Sequence, residues 1–222
     1  MIIAIDGPAG SGKSSTAKAV AAKLGITFLD TGAMYRAITL KAMRQNIPYT
    51  DDSALGRLVD GTVIAFEGSP PDVRVLMDGE DVSTLIRSDE VTKNVSDYCA
   101  IDVVREALVA QQRKIAAGLP VVCEGRDIGT VVFPGAEVKI FMSASVEERA
   151  KRRQKDFEAM GVTKSIQELM GDIEVRDEKD STRSNSPLTK ASDAIEMDTT
   201  GMTLDDQVSF IVEKYYSSST LK

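Results

Sequence analysis

Residues Gly7-Pro8-Ala9-Gly10-Ser11-Gly12-Lys13-Ser14 spell G-x-x-x-x-G-K-[ST], and no other feature of the 222-residue chain constrains its fold so tightly. Glycines at these positions let the backbone turn where a Cβ would clash, so successive N–H groups converge on one anion. Lys13 is placed to reach the β- and γ-phosphates of a nucleoside triphosphate and the Ser14 hydroxyl to ligate Mg2+, while the following helix adds partial positive charge at its N-terminus. The plainer alternative is a glycine-rich turn that holds nothing. Context argues against it. The apolar run Ile2-Ile3-Ala4-Ile5 suits a buried strand, and Ser15 to Leu24 is an Ala-rich helical pattern.

The rest of the chain repeats that alternation. Short apolar runs at 26–29, 121–123, 137–142 and 194–197 read as strands, with helical stretches between them. Thr31 is an expected N-cap for a helix over about 32–45. Residues 89–117 contain no Gly or Pro and read as helical over much of their length. Ser145-x-x-Glu148 is a capping-box pattern, Ser165 opens a helix to about Ser181, and a last helix is expected from Thr203 to about Tyr216. Strands alternating with helices imply a parallel sheet covered on both faces. Residues 62–83 differ: three β-prone runs, two of them joined by Asp78-Gly79, predict a small antiparallel insertion.

Charge narrows the function classes. Lys and Arg total 27 against 34 Asp and Glu, a net charge of −7. A field of that sign disfavours nonspecific nucleic-acid or anionic-membrane binding, so any anionic ligand needs a local basic cluster. The two cysteines, Cys99 and Cys123, form neither a disulfide framework nor a zinc quartet. No run approaches ~18 apolar residues and no signal-like segment opens the sequence, so no membrane span and a cytoplasmic location are expected. Histidine is absent, which excludes Ser–His and Cys–His nucleophilic catalysis. Phosphoryl transfer tolerates that absence, because it rests on positioning and electrostatics.

The local basic cluster exists in the sequence. Of Arg36, Arg126, Arg149, Arg152, Arg153, Arg176 and Arg183, most follow strands or lie on the two helices suited to a closing lid. Singly, each reads as a solvated charge or a salt-bridge partner. Together they suit a kinase whose acceptor already carries a phosphate, where two mutually repelling phosphates must be gathered in a dry site. A GTPase switch would add N-K-x-D, which is absent, and the D-x-x-G at Asp198–Gly201 falls after the last strand. Another small-molecule kinase and a non-catalytic ATP-binding module remain open at this point.

The P-loop, Asp30-Thr31-Gly32-Ala33-Met34-Tyr35-Arg36, the insertion with Asp78-Gly79-Glu80-Asp81-Val82, Val104-Arg105-Glu106-Ala107-Leu108, Glu124-Gly125-Arg126-Asp127-Ile128-Gly129 running to Pro134, and Arg176-Asp177-x-x-Asp180-x-x-Arg183 occur in order. In this set the chain resembles the bacterial cytidylate kinases over essentially its whole length. The resemblance implies ATP as donor, Mg2+, and CMP or dCMP as acceptor. It implies a P-loop NTPase fold with a parallel five-stranded sheet, the antiparallel insertion (about 61–87) in the monophosphate-binding region, and a helical lid (about 147–163). The rest (1–60, 88–146 and 164–222) would be the core of a single domain.

Site roles follow residue by residue. Gly7, Pro8, Ala9, Gly10, Ser11, Gly12, Lys13, Ser14 and Ser15 would bind ATP, with Ser14 on Mg2+ and Glu124 behind it. Thr31, Ser96, Arg105, Asp127 and Arg183 would surround the cytosine, and Tyr35 would also bind substrate. Arg36, Arg126 and Arg176 would hold the acceptor phosphate, and Asp180 the ribose hydroxyls. Lys13, Arg126, Arg153 and Arg176 are the expected catalytic residues. The expected partners are small molecules alone, with the chain acting as a monomer.

Overall fold

A computed structural model describes residues 1–159 and 161–219. The chain runs β1 (Ile2–Asp6), α1 (Lys13–Leu24), β2 (Thr27–Asp30), α2 (Thr31–Arg44) and α3 (Asp52–Asp60). It continues through β3 (Ile64–Ser69), β4 (Asp72–Met77), β5 (Glu80–Asp81), α4 (Asp89–Cys99), α5 (Asp102–Ala116) and β6 (Val121–Gly125). It ends with β7 (Val138–Ser143), α6 (Val146–Ala159), α7 (Ile166–Thr182), β8 (Ile195–Asp198) and α8 (Leu204–Ser219).

Five strands pair in the order β2-β6-β1-β7-β8, all parallel. The central strand shows why its sequence is a continuous apolar run: Ile3, Ala4 and Ile5 are all fully buried, because both faces are covered. On one face Ala4, Leu29 and Cys123 pack under Met34, Ile38 and Leu108 of α2 and α5. On the other, Ile3, Ile5, Val122 and Ile140 pack under Val20 of α1 and Ile211 of α8. The chain leaves β1 toward β2 and β6 on one side and toward β7 and β8 on the other. The carboxyl end of β1 is therefore the switch point of the sheet, where a ligand crevice forms.

Two smaller units sit outside this frame. β3, β4 and β5 form the antiparallel meander expected from residues 62–83. Helices α6 and α7 bury Ala150, Phe157, Leu169 and Ile173 against each other, in a cluster separate from the main cores.

Several local expectations are corrected. The stretch 89–117 is two helices, parted at Ala100-Ile101, and Arg105 of the second donates from Nη1 to the Cys99 carbonyl at 3.1 Å. A side chain thus takes a carbonyl left over at the end of α4. Asp30, not Thr31, caps α2, its Oδ1 accepting from the Ala33 N–H at 2.8 Å. Thr31 is already helical and donates its hydroxyl to the Glu124 carbonyl at 2.8 Å. The Ser145 pattern is half a capping box, because Glu148 turns to Arg152 while the Ser145 N–H donates to Thr200. Helix α3, capped by Asp51 and burying Leu55, Leu58 and Val59, went unread in the sequence. Helix α8 continues past Tyr216 to Ser219.

The separate α6–α7 cluster generates a prediction. Ile173→Ala should cost about 2–5 kcal/mol of local stability, as for other buried aliphatic truncations. Hydrogen exchange should quicken throughout α6 and α7 while the amides of β1 and β6 keep their protection. Equal loss of protection in β1 would show that the helical pair is not an independent unit.

Candidate active site

The phosphate loop is bent by glycines where a side chain cannot follow. A Cβ on Gly7 would run into the Met142 carbonyl of β7, and Gly10 and Gly12 hold φ of +76° and +95°. Lys13 is buried at the start of α1. With its Nζ it donates to the Pro8 carbonyl at 2.7 Å and reaches Ser11 Oγ at 3.3 Å. Burial, then the neighbouring Arg126, pushes its pKa down, against the pull of Glu124. The Ser14 hydroxyl donates to Glu124 Oε1 at 2.7 Å. Burial, then Asp30, pushes the Glu124 carboxyl up.

Helix α6 lies across this loop. Arg149 Nη1 donates to the Ala9 carbonyl at 3.1 Å and pairs with Asp177. Arg152 Nη1 donates to the Ser11 carbonyl at 3.1 Å, and its Nη2 to the Thr199 carbonyl at 2.8 Å. The Thr199 hydroxyl lies 3.0 Å from the same Ser11 oxygen. These contacts tie the Ala9 and Ser11 carbonyls of the loop to α6 and to the segment after β8. Arg153 is different: its guanidinium lies over the Phe157 ring at 5.5 Å and makes no hydrogen bond among the described residues.

Beside the loop, cations crowd together. Arg36 of α2 donates from Nη1 to the Ile86 carbonyl at 3.0 Å and to Thr92 Oγ1 at 2.7 Å. Arg126, just after β6, donates from Nε to Asp180 Oδ2 at 2.9 Å, and Arg176 Nε stands 3.9 Å from that same oxygen. Burial, then Arg176, lowers the pKa of Arg36 to about 9. Burial, then Arg126, lowers that of Arg176 to about 10. Burial also lowers Arg153, which in turn opposes the charge on both Arg36 and Arg176. An anion placed among them would relieve all of these penalties at once.

A third cluster is built around a carboxylate. Asp127 forms a fully buried ion pair with Arg105 of α5, and Arg183 Nη2 stands 4.0 Å from its other oxygen. The Arg105 guanidinium sits 5.2 Å from the Tyr35 ring centre. The Tyr35 hydroxyl, Arg105 Nε and Arg183 Nη2 are all buried without a hydrogen-bond partner. Unfilled donors next to a buried acceptor describe a polar, planar ligand's edge, since leaving such groups unpaired costs free energy.

The structure thus brings together Tyr35, Arg105, Asp127 and Arg183, and separately Arg36, Arg126, Arg176 and Asp180. Thr31 spends its hydroxyl on the β6 backbone. Ser96 lies one turn beyond Thr92 on α4, and its hydroxyl makes no hydrogen bond among the described residues; Ser15 is exposed. Sequence reasoning missed Thr199, Arg87, which pairs with Asp30 at 3.1 Å, and Asp6. A carboxylate ending a fully apolar strand was the available signal for Asp6.

Comparison with known proteins adds the lineage. The family model for cytidylate kinase matches residues 3–217. A cytidylate kinase of Lactobacillus johnsonii is 50% identical over 96% of this chain and 93% of its own length. One from Lysinibacillus sphaericus is 52% identical over 95% and 94%. Among solved structures, an uncharacterized protein from Eubacterium ventriosum has a TM-score of 0.55 at 15% identity, covering 98% of both chains. A gluconokinase from Sinorhizobium meliloti has a TM-score of 0.50 at 16% identity, covering 99% of this chain and 94% of its own. At such identities the likeness is one of fold.

The depressed cations set a sign that can be measured. An anion should raise Lys13, Arg36 and Arg176 back toward their ordinary pKa values, so the bound state holds more protons. Sulfate binding at about pH 8.5 should therefore take up protons, and at about pH 6, where these cations are already charged and only buried carboxyls such as Asp6 still titrate, it should take up fewer. Calorimetry in buffers of different ionisation enthalpy reads this directly. Proton release at the higher pH would contradict the cluster's electrostatics.

Proposed function

The chain belongs to the cytidylate kinase family, and from that premise we propose that it transfers the γ-phosphoryl group of ATP to CMP or dCMP, giving ADP and CDP or dCDP. The observation that carries the reading is the buried Asp127 carboxylate. It is framed by Arg105 and Arg183, whose free donors sit beside the arginine crowd and the phosphate loop.

Cytosine has an N4 amino donor next to the N3 and O2 acceptors. Asp127 accepts from N4, while Arg105 and Arg183 donate to the acceptors. Uracil would turn a carbonyl toward Asp127, leaving both acceptors without a proton between them. With the base so placed, the acceptor phosphate lies among Arg36, Arg126 and Arg176. Arg126 then exchanges Asp180 for phosphate, which frees that carboxylate for the ribose hydroxyls. On the donor side, Lys13 leaves the Pro8 carbonyl for the β- and γ-phosphates. Arg153, with no competing hydrogen bond, is the lid arginine free to follow the charge of the transferred phosphoryl group.

No general base is needed, because positioning and charge stabilisation supply the rate. The oxygens of Ser14 and Glu124 suit a hard cation, and no described cluster of acidic or cysteine side chains could hold a metal by itself. Mg2+ would accordingly be held between Ser14 and the ATP phosphates, neutralising charge there. Residues 61–87 serve the monophosphate and 147–163 the lid of a single domain, which works as a monomer on small molecules, with no nucleic-acid or membrane partner. No helix among the described residues is long and apolar enough to cross a membrane. With both thiols unpaired, the cytoplasm is the proposed location.

A nucleotide panel with ADP release as readout tests this function. CMP and dCMP should turn over best; preference for AMP would overturn the base-reading assignment. In Asp127→Asn the amide can donate where the carboxylate could only accept. Its kcat/KM for CMP should fall about ten- to a hundred-fold while UMP falls less. Equal losses on both would contradict direct reading of N4.

A further inference from the structure

Asp6 closes β1 one residue before the phosphate loop and is 5% exposed. Its Oδ1 accepts from the Ile128 N–H and its Oδ2 from the Gly129 N–H, both at 2.7 Å. Those are the two amides immediately after Arg126 and Asp127. A carboxylate that receives two successive amides, one on each oxygen, fixes the plane of the peptide between them. The chain at 126–129 cannot rotate without breaking both bonds.

The surroundings show that this grip is tight. A Cβ on Gly129 would stand 3.3 Å from Asp6 Oδ2 and 3.2 Å from Lys139 Cδ, so only a bare backbone comes this close without its neighbours yielding. The far end of the same segment has other anchors. Arg113 donates to the Val131 and Val132 carbonyls at 2.8 and 3.0 Å, and Lys139 Nζ to the Pro134 carbonyl at 2.6 Å. None of these reaches the end that carries Asp127. There Arg105 pairs with the Asp127 side chain and Asp180 with that of Arg126, while the backbone amides are held by Asp6.

We propose that Asp6 is a positioning residue: through the Ile128 and Gly129 amides it sets Arg126 and Asp127 at a fixed place relative to the phosphate loop. One carboxylate thereby joins the ATP cradle to the groups that read and hold the acceptor. The inference rests on the function proposed above for what Arg126 and Asp127 bind. Asparagine cannot replace Asp6 in this work, since its NH2 group would face one of the two N–H donors.

The test pairs Asp6→Asn with Gly129→Ala in the full chain. Gly129→Ala keeps the carboxylate and crowds the clamp from the other side. In Asp6→Asn, exchange at the Ile128 and Gly129 amides should quicken and KM for CMP should rise about ten-fold or more. The preference for CMP over UMP should shrink, and KM for ATP should change much less than KM for CMP. Gly129→Ala should shift the same quantities in the same direction by less, and it serves alone if Asp6→Asn fails to fold. Faster amide exchange with an unchanged KM for CMP would reduce Asp6 to a structural role and overturn the inference. So would a KM for ATP that rises as much as that for CMP. If wild type prefers another acceptor, the functional reading fails separately, and the same comparison is made with that acceptor.

Discussion

Crowding positive charge into a buried site is the constraint on which the rest of this structure depends. Lys13, Arg36, Arg126, Arg153 and Arg176 oppose one another's charge in a chain that carries a net −7. Each such repulsion is costly where solvent screening is weak. The fold tolerates it by giving most of these cations a provisional partner. Lys13 has the Pro8 carbonyl, Arg36 the Ile86 carbonyl and Thr92, and Arg126 has Asp180. Under the proposed function each of these partners gives way to phosphate oxygens when substrate binds. Burial pushes the Asp180 carboxyl up, but Arg126 and Arg176 more than reverse it, so the carboxylate stays ionised beside them.

Sheet topology decides where that crowd can form. The carboxyl end of β1 lies between β6 and β7, so the phosphate loop, the segment after β6 and the start of α2 all meet there. Thr31 and Gly125 show the closeness of the fit. The Thr31 hydroxyl donates to the Glu124 carbonyl, and a Cβ on Gly125 would come within 2.7 Å of that hydroxyl oxygen. Over this sits α6, whose Arg149 and Arg152 engage the loop's carbonyls. Its packing against α7 is independent of the main core. A firmly built floor and a separately packed roof suit a site that must admit two nucleotides and then exclude water.

Features written in local sequence were legible: the phosphate loop, the five strands, the Asp78-Gly79 turn and the helical arginines. What escaped reading depends on contacts between distant residues. The break between α4 and α5 shows no Gly or Pro, and part of it rests on Arg105 reaching back to Cys99. Asp30 and Thr31 are both plausible caps by type, and only the proximity of Glu124 decides between them. Thr199 engages a loop 188 positions away, and the Asp6 clamp spans 122. Helix α3 has only 9 residues, too few for its apolar spacing to stand out beside the strands that follow it. Arginines that looked alike in sequence also proved unlike in place: Arg149 and Arg152 brace the loop, while Arg153 stays uncommitted.

The most direct test is a crystal structure of the chain with CMP and an unreactive ATP analogue. The account predicts the CMP phosphate among Arg36, Arg126 and Arg176, with cytosine N4 within hydrogen-bond distance of the Asp127 carboxylate. It also predicts that Lys13 has left the Pro8 carbonyl for the donor's phosphates. A CMP phosphate bound away from the three arginines, or a base turned away from Asp127, would contradict it.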